Sequence, residues 1–469
     1  GQTEALYQAG DLSDMKNLGE VELGAHHFWV TSRLPIESID DKQHLVKFKK
    51  RSVFRLSDDY SGQAAPYYLD NVSEALKQPC QWYWDRPSGR IYYVPRPGDH
   101  LTTFEARIPR LGPVVEIDGA SNITLNGRFM GAEWDLPNDS SGDVQAAVAV
   151  PGALVLKDAV NCELTCSVFA CGTYGIELMG ACKNNRILNC FLGHLGAGGI
   201  KVGHGTSGTT VRDCMISDDG EVHASAVGIW IGNSGHNVVS HNLILDLGYT
   251  GISVGWTWGY GPSDAVDNVI ENNLIANIGQ GLLSDMGGIY TLGVSPGTII
   301  RNNKIESVKA WGYGGWGIYL DEGSSHILVE NNVVTNCKTG SFHQHYGQDN
   351  EIRNNIFMFA QQDGQIIRSR PEDHNSFTME NNIIEWRKTP LFGGNLQGPG
   401  FVFRSNLLWK TDGSPDLPAF VDKSNLVADP SFDPYPFGLP ASSPAFKIGF
   451  KPIELDDFGP RQQHSTKGR

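Results

Sequence analysis

Asparagine recurs at a nearly fixed interval through the second half of this chain, followed in most copies by two apolar residues. The positions are Asn242, Asn273, Asn303, Asn332, Asn355, Asn382 and Asn406, spaced by 31, 30, 29, 23, 27 and 24 residues. A period of this length marks a stacked repeat, in which each unit buries its apolar face only against its neighbours. The unit reads strand, corner, strand: Val269-Ile270-Glu271-Asn272-Asn273-Leu274-Ile275 is one copy and Ile327 to Val334 another. Short β-branched runs joined by Asn-Asn, a pair that tolerates a left-handed backbone, leave no room for a helix. The fold expected is all-β, a right-handed parallel β-helix.

Upstream the same slot holds Cys166, Cys190 and Cys214, spaced by 24 and 24 residues, with 28 more to Asn242. A stacked Asn satisfies its amide against the coils above and below, whereas Cys fills the volume as a small hydrophobe. These three are therefore expected as packed, reduced thiols. A second column shares the register: Gly175-Ile176, Gly199-Ile200, Gly228-Ile229, Gly251-Ile252, Gly288-Ile289 and Gly317-Ile318. At one strand spacing per coil, the span from Cys166 to Asn406 predicts a rod of roughly 43 Å.

Residues 1–110 do not follow this pattern. Gln81-Trp82-Tyr83-Trp84 and Ile91-Tyr92-Tyr93-Val94 flank a turn-rich connection and read as a hairpin in a β-rich module. Its aromatics are expected to pack on the first coils. The β-helix is expected over 111–455, its last part a Pro-rich cap that includes Pro430, Pro434, Pro436, Pro440 and Pro444, and a tail over 456–469.

The 469 residues carry a formal charge of −15, which disfavours nucleic acid and anionic membrane surfaces as partners. The apolar run from Ala146 to Leu156 is broken by Pro151-Gly152 and is too short to span a bilayer. Eight cysteines show no zinc-like pairing, and no cofactor is expected. The chain opens at Gly1 with no signal pattern, read as a removed signal or a fragment; a periplasmic or extracellular location is expected.

The coils between Asn242 and Asn332 are the longest, and long turns on a rigid scaffold are where sites are built. They contain Tyr249, Trp256, Trp258, Tyr260, Tyr290, Trp311, Tyr313, Trp316 and Tyr319 among many glycines, an arrangement suited to stacking on sugar rings. Ser284-Asp285-Met286-Gly287-Gly288 enters one strand and Tyr319-Leu320-Asp321-Glu322-Gly323 leaves the next, one coil further on. Two carboxylates about 5 to 9.5 Å apart are what glycoside cleavage needs. His343 and His345 alternate on one strand face, and counting from Gly317 and Gly340 stacks His345 on Glu322. No convincing third ligand accompanies the histidines for a metal site. Arg368 and Arg370 follow, beside Glu372, Asp373 and His374, and suit either a bound carboxylate or a structural charge network.

The runs Gly281 to Gly293, Gly315 to Ser325 and Phe342 to Gly347 resemble glycoside hydrolase family 141, and the similarity extends from roughly residue 30 to 455. The resemblance implies a β-helix with a β-rich domain inserted near its start, and action as an α-L-fucosidase on pectic side chains or as a xylanase. It places the carboxylate pair on Asp285 and Asp321, with Glu322 competing for the second role. Family members usually begin with coils ahead of the inserted domain, which this chain does not show. The substrate-binding set expected is Tyr290, Tyr319, His343, His345, Trp256, Trp258, Trp316, Arg368 and Arg370. Two other readings of the same residues are a polysaccharide lyase acting on uronates and a non-catalytic glycan-binding rod.

Overall fold

The computed structural model describes residues 1–12, 15–58, 61–100, 102–396, 400–433 and 437–461. Pro434, Pro436 and the tail beyond Arg461 lie outside the described residues. The chain is all-β and most of it winds into a parallel β-helix with three sheets along its length. One sheet stacks eleven strands, from Val115–Asp118 to Phe392–Gly394. The other two meet at the Asn corner.

That corner is two residues long. The first is left-handed, with φ of 56° at Asn272, 52° at Asn302, 57° at Asn331 and 56° at Asn354. Asn and Asp reach this region at little cost because their short side chains bond locally. The second residue points inward. The Asn303 amide donates to Ile270 O and Asn332 Oδ1, and its own Oδ1 accepts from the backbone N–H and the amide of Asn273. The pattern repeats to Asn425, one rung past the last one visible in the sequence. Upstream the Cys166 N–H points at Cys190 Sγ at 3.3 Å, and all eight cysteines are free thiols.

The Gly-Ile column holds its register, with Ile176, Ile200, Ile229, Ile252, Ile289 and Ile318 paired in succession. These isoleucines are fully buried, each contributing roughly 2 to 3 kcal/mol of apolar burial. At Gly228 and Gly251 the preceding residue must be glycine, since a Cβ there would sit 2.7 Å from the next coil's carbonyl oxygen.

Before the solenoid, a five-stranded antiparallel sheet occupies residues between Glu4 and Asp70. It docks through a buried ion pair, Lys50 Nζ to Asp143 Oδ2 at 3.1 Å. The hairpin Trp82–Asp85 with Arg90–Tyr93 pairs only with itself. Contrary to expectation its aromatics do not pack on the coils: Tyr83 turns inward, and Trp82 is left 63% exposed.

The C-terminal segment is more than a cap. After the turn Pro444–Ile448 it runs back along the outside of the rod, covering Val333, Ile356, Ile383 and Leu407. The left-handed corner residues bind it in reverse order: Asn354 to Lys451, Asn272 to Asp457, and Asp213 to Arg461 at 2.6 Å.

Asn303→Ala removes the partners of several buried groups, so it is expected to cost about 3 to 5 kcal/mol. Asn425→Ala, at the solvent end of the ladder, is expected to cost less than half as much, both read from urea denaturation midpoints.

Candidate active site

The eleven-stranded sheet has a column of outward positions, each following a Gly-Ile or equivalent pair: Trp230, Ser253, Tyr290, Tyr319, His343 and Ile367. Two residues further on lies a second outward column that includes Asp321 and His345. The long loops fold over this face, so Tyr290, Trp316, Tyr319 and His343 are buried although they point away from the solenoid interior.

The structure brings Asp285 and Asp321 together through one phenol. The Tyr319 hydroxyl lies 2.7 Å from Asp321 Oδ1 and 3.1 Å from Asp285 Oδ1, which caps the separation of those two oxygens at 5.8 Å. Tyr290 donates to Asp321 Oδ2 at 2.7 Å. A hydroxyl carries one proton, so both Tyr319 contacts close as hydrogen bonds only when one carboxyl is protonated and donates to the phenol oxygen. Burial raises the Asp321 carboxyl above its ordinary value, against the two tyrosine hydroxyls and His345, which pull it down. Burial, reinforced by the two aspartates, also keeps Tyr290 and Tyr319 protonated.

Asp285 sits on a tightly held turn. Its φ is +58°, its N–H donates to Tyr313 O, and its carbonyl accepts from the Tyr249 hydroxyl at 2.8 Å. The N-terminal module holds the residue before it: Ser284 N–H donates to Phe28 O, and Ser284 Oγ to Asp58 Oδ2 at 3.1 Å. The module thus buttresses the site as well as capping the rod.

Five expectations from the sequence change. Glu322 does not join the pair; its carboxylate accepts from the Tyr346 hydroxyl at 3.2 Å. The register pairs Leu320 with Gln344, so His345 stacks on Asp321 and not on Glu322. The miscount arose because Ser341, not Gly340, occupies the slot of Gly317. Arg368 does not reach this face. It points into the solenoid, wholly buried, and donates to the carbonyls of Asn395 and Gly400 over the Phe401 ring. His343 is 2% exposed, with its ring stacked 4.7 Å from Tyr319 and its Nε2 against Ser369 Oγ. It packs beneath the pair, as does Trp316, so neither offers a face to a ligand.

The accessible aromatics flank the acids along the rod. Towards the N-terminal end, Trp230, Trp256 and Trp258 meet edge to face at 5.5 and 5.7 Å, and Trp258 is 56% exposed. Trp230 was not singled out in the sequence, although its place after Gly228-Ile229 was a sufficient signal. Gly232 lets its indole lie along the strand, since a Cβ there would meet the ring at 2.0 Å. Towards the C-terminal end, the exposed Tyr260 meets the buried Tyr346 at 5.8 Å, and Arg370 lies 4.3 Å over the Tyr346 ring while pairing with Glu372. Among the described residues no three His, Cys, Asp or Glu side chains converge to hold a metal ion.

Burial, with a smaller contribution from His345, depresses the His343 imidazole well below its ordinary value. Histidine-labelled NMR is therefore expected to show an imidazole, identified by its loss in His343→Gln, that stays neutral as the pH falls through the ordinary histidine range.

A chain described as a glycoside hydrolase superposes with a TM-score of 0.57 at 17% identity, covering 87% of this chain and 70% of that one. A GH136 lacto-N-biosidase from Eubacterium ramulus aligns with a TM-score of 0.40 at 12% identity, over 55% of this chain and about half (51%) of its own. A mutant tailspike protein of E. coli bacteriophage HK620, solved with a pentasaccharide, aligns with a TM-score of 0.42 at 12% identity, over 68% and 58%. No curated protein matches the chain in sequence. The family described as right handed beta helix region matches residues 149–255 and 261–396, more than half of the chain, and the chain belongs to that family.

Proposed function

We propose that this protein is a glycoside hydrolase in which Asp285 and Asp321 are the catalytic pair. The observation that carries the reading is the single Tyr319 hydroxyl within hydrogen-bond distance of both carboxylates. Retaining glycosidases set their carboxyls about 5 to 5.5 Å apart and inverting ones about 6.5 to 9.5 Å. An oxygen separation of at most 5.8 Å supports the retaining course.

In that course Asp321, the buried carboxyl with the raised pKa, protonates the leaving oxygen. Asp285, the more accessible of the two, attacks the anomeric carbon and forms a glycosyl ester. Asp321 as carboxylate then takes a proton from water, whose oxygen displaces Asp285 and restores the starting state. Tyr290 and Tyr319 hold Asp321 through both steps, and Trp256, Trp258, Tyr260 and Arg370 line the approach along the rod. The aromatic flanks suit a polysaccharide or its side chains, and the resemblance to glycoside hydrolase family 141 implies a plant cell-wall one, with an α-L-fucoside on a pectic oligosaccharide or a xylan as the substrates to try first. Such a substrate puts the enzyme's work in the periplasm or outside the cell.

Asp285→Asn and Asp321→Asn are each expected to lower turnover about 10³-fold or more, with unchanged unfolding midpoints. Product NMR on the wild type is expected to show retained anomeric configuration. Inverted product would remove Asp285 as nucleophile; an unsaturated, ultraviolet-absorbing product would replace hydrolysis by elimination; no product on any pectic or xylan substrate would leave a binding rod.

The proton assignment has its own check. Tyr290 donates to Asp321 and holds its pKa down, so Tyr290→Phe raises that pKa. With Asp321 as the acid, the alkaline limb of kcat/KM moves to higher pH; movement of the acid limb alone would exchange the two roles.

A further inference from the structure

The hairpin of Trp82–Asp85 and Arg90–Tyr93 is held from one face only. Tyr83 turns inward, its hydroxyl set between Asn17 and Glu20. Asn71 pins the strand edge, accepting from the Trp84 N–H at 3.0 Å and donating to Trp84 O at 3.1 Å. The pairing sets Trp82 opposite Tyr93 and Trp84 opposite Ile91, so these four side chains share the other face. Trp82, Trp84 and Ile91 are exposed there, and Phe104, also exposed, stacks on Tyr93 at 5.0 Å. Three of the chain's eleven tryptophans are exposed, two on this face and the third, Trp258, near the acid pair. A strand fixed from behind that turns two indoles to water marks a surface that receives something.

Charge narrows what that is. Residues 77–110 carry six Lys or Arg against three Asp or Glu, in a chain whose formal charge is −15. Charges more than about 10 Å away are screened at physiological salt, so a ligand on this face meets the local surplus and not the net charge of the chain. Arg96 and Arg107 are spent on Cys80 and Glu105, each at 2.9 Å. Arg86 is placed otherwise: its guanidinium lies 4.9 Å over the Trp84 ring and gives one N–H to Glu20 O at 3.2 Å. A guanidinium has several N–H donors, so most remain for an acceptor beside the indole.

Sugar rings offer flat C–H faces to indoles, and a uronate adds the carboxylate that a guanidinium binds through paired N–H donors. A nucleic acid would stack as well, but its affinity runs on several neutralised phosphates, and Arg86 alone stands over the indoles. We propose that the hairpin face is a second, non-catalytic binding surface for a uronate-bearing polysaccharide, with Trp82 and Trp84 stacking on its sugars and Arg86 taking a carboxylate. The proposal does not depend on the hydrolytic reading, since binding alone tests it.

The experiment is isothermal titration of the whole protein with tetragalacturonate and with its methyl ester, repeated on Trp82→Ala and Arg86→Gln. Both side chains are exposed, so the variants keep the fold, which unchanged unfolding midpoints check. The free acid is expected to bind at least about fivefold more tightly than the ester, Trp82→Ala to weaken both about tenfold, and Arg86→Gln to bring the two to near parity. Absence of binding, equal affinity of the wild type for acid and ester, or affinity unchanged in Trp82→Ala overturns the proposal. So does tighter binding of a single-stranded oligonucleotide than of tetragalacturonate, or a dimer in light scattering that Trp82→Ala abolishes, which would give the face to a nucleic acid or to a second copy of the chain.

Discussion

The structure depends on the stacked asparagines. In a coil of 23 to 31 residues the hydrophobic core is indifferent to small slips, because one aliphatic side chain replaces another at little cost. A buried amide is not indifferent. Asn303 accepts from the rung before it and donates to the rung after it and to Ile270 O. A slip of one residue would leave several such groups unpaired in a dry interior. The ladder therefore sets the axial register of every coil, and the outward columns on the far sheet inherit that register. Tyr290 and Tyr319 are adjacent across strands because Asn273 and Asn303 are adjacent across corners.

This explains why the fold was legible in the sequence. The Asn rungs, the Cys rungs and the Gly-Ile pairs are chemical necessities repeated at one frame, and each recurs in space as the spacing requires. Legibility failed where the frame was counted from a residue type instead of from its role. Ser341 fills the position that glycine fills elsewhere, and that one residue moved His345 from Asp321 to Glu322 in the sequence-based count. The returning C-terminal segment was illegible for a different reason. It has no periodicity of its own and is recognised by left-handed corner residues whose outward amides look in sequence like ordinary turn residues.

The site was legible in composition and less so in orientation. The acids and aromatics do gather on the loops of the longest coils. Burial then divides them into two groups that sequence cannot separate. Tyr290, Trp316, Tyr319 and His343 form a packed floor, whereas Trp256, Trp258, Tyr260 and Arg370 stand where a ligand can touch them. Arg368 and Arg370 differ by strand parity alone: one points into the solenoid and the other out.

The packed floor has a chemical consequence. Two carboxylates that close would ordinarily be driven apart or hydrated; here their separation is held, and Asp321 is buried away from water. Asp285 is fixed by Tyr249 and Tyr313 on its own backbone and, through Ser284, by Phe28 and Asp58 of the N-terminal module. Asp321 is fixed by two tyrosine hydroxyls above a neutral imidazole. With the separation held and Asp321 out of water, retaining a proton on Asp321 lowers the repulsion, which is the state that a general acid requires. The neutrality of His343 matters to that balance, because a charged imidazole beneath Tyr319 would stabilise both anions and release the proton. The aromatic stack that depresses the His343 pKa thus keeps the pair in its proton-sharing form.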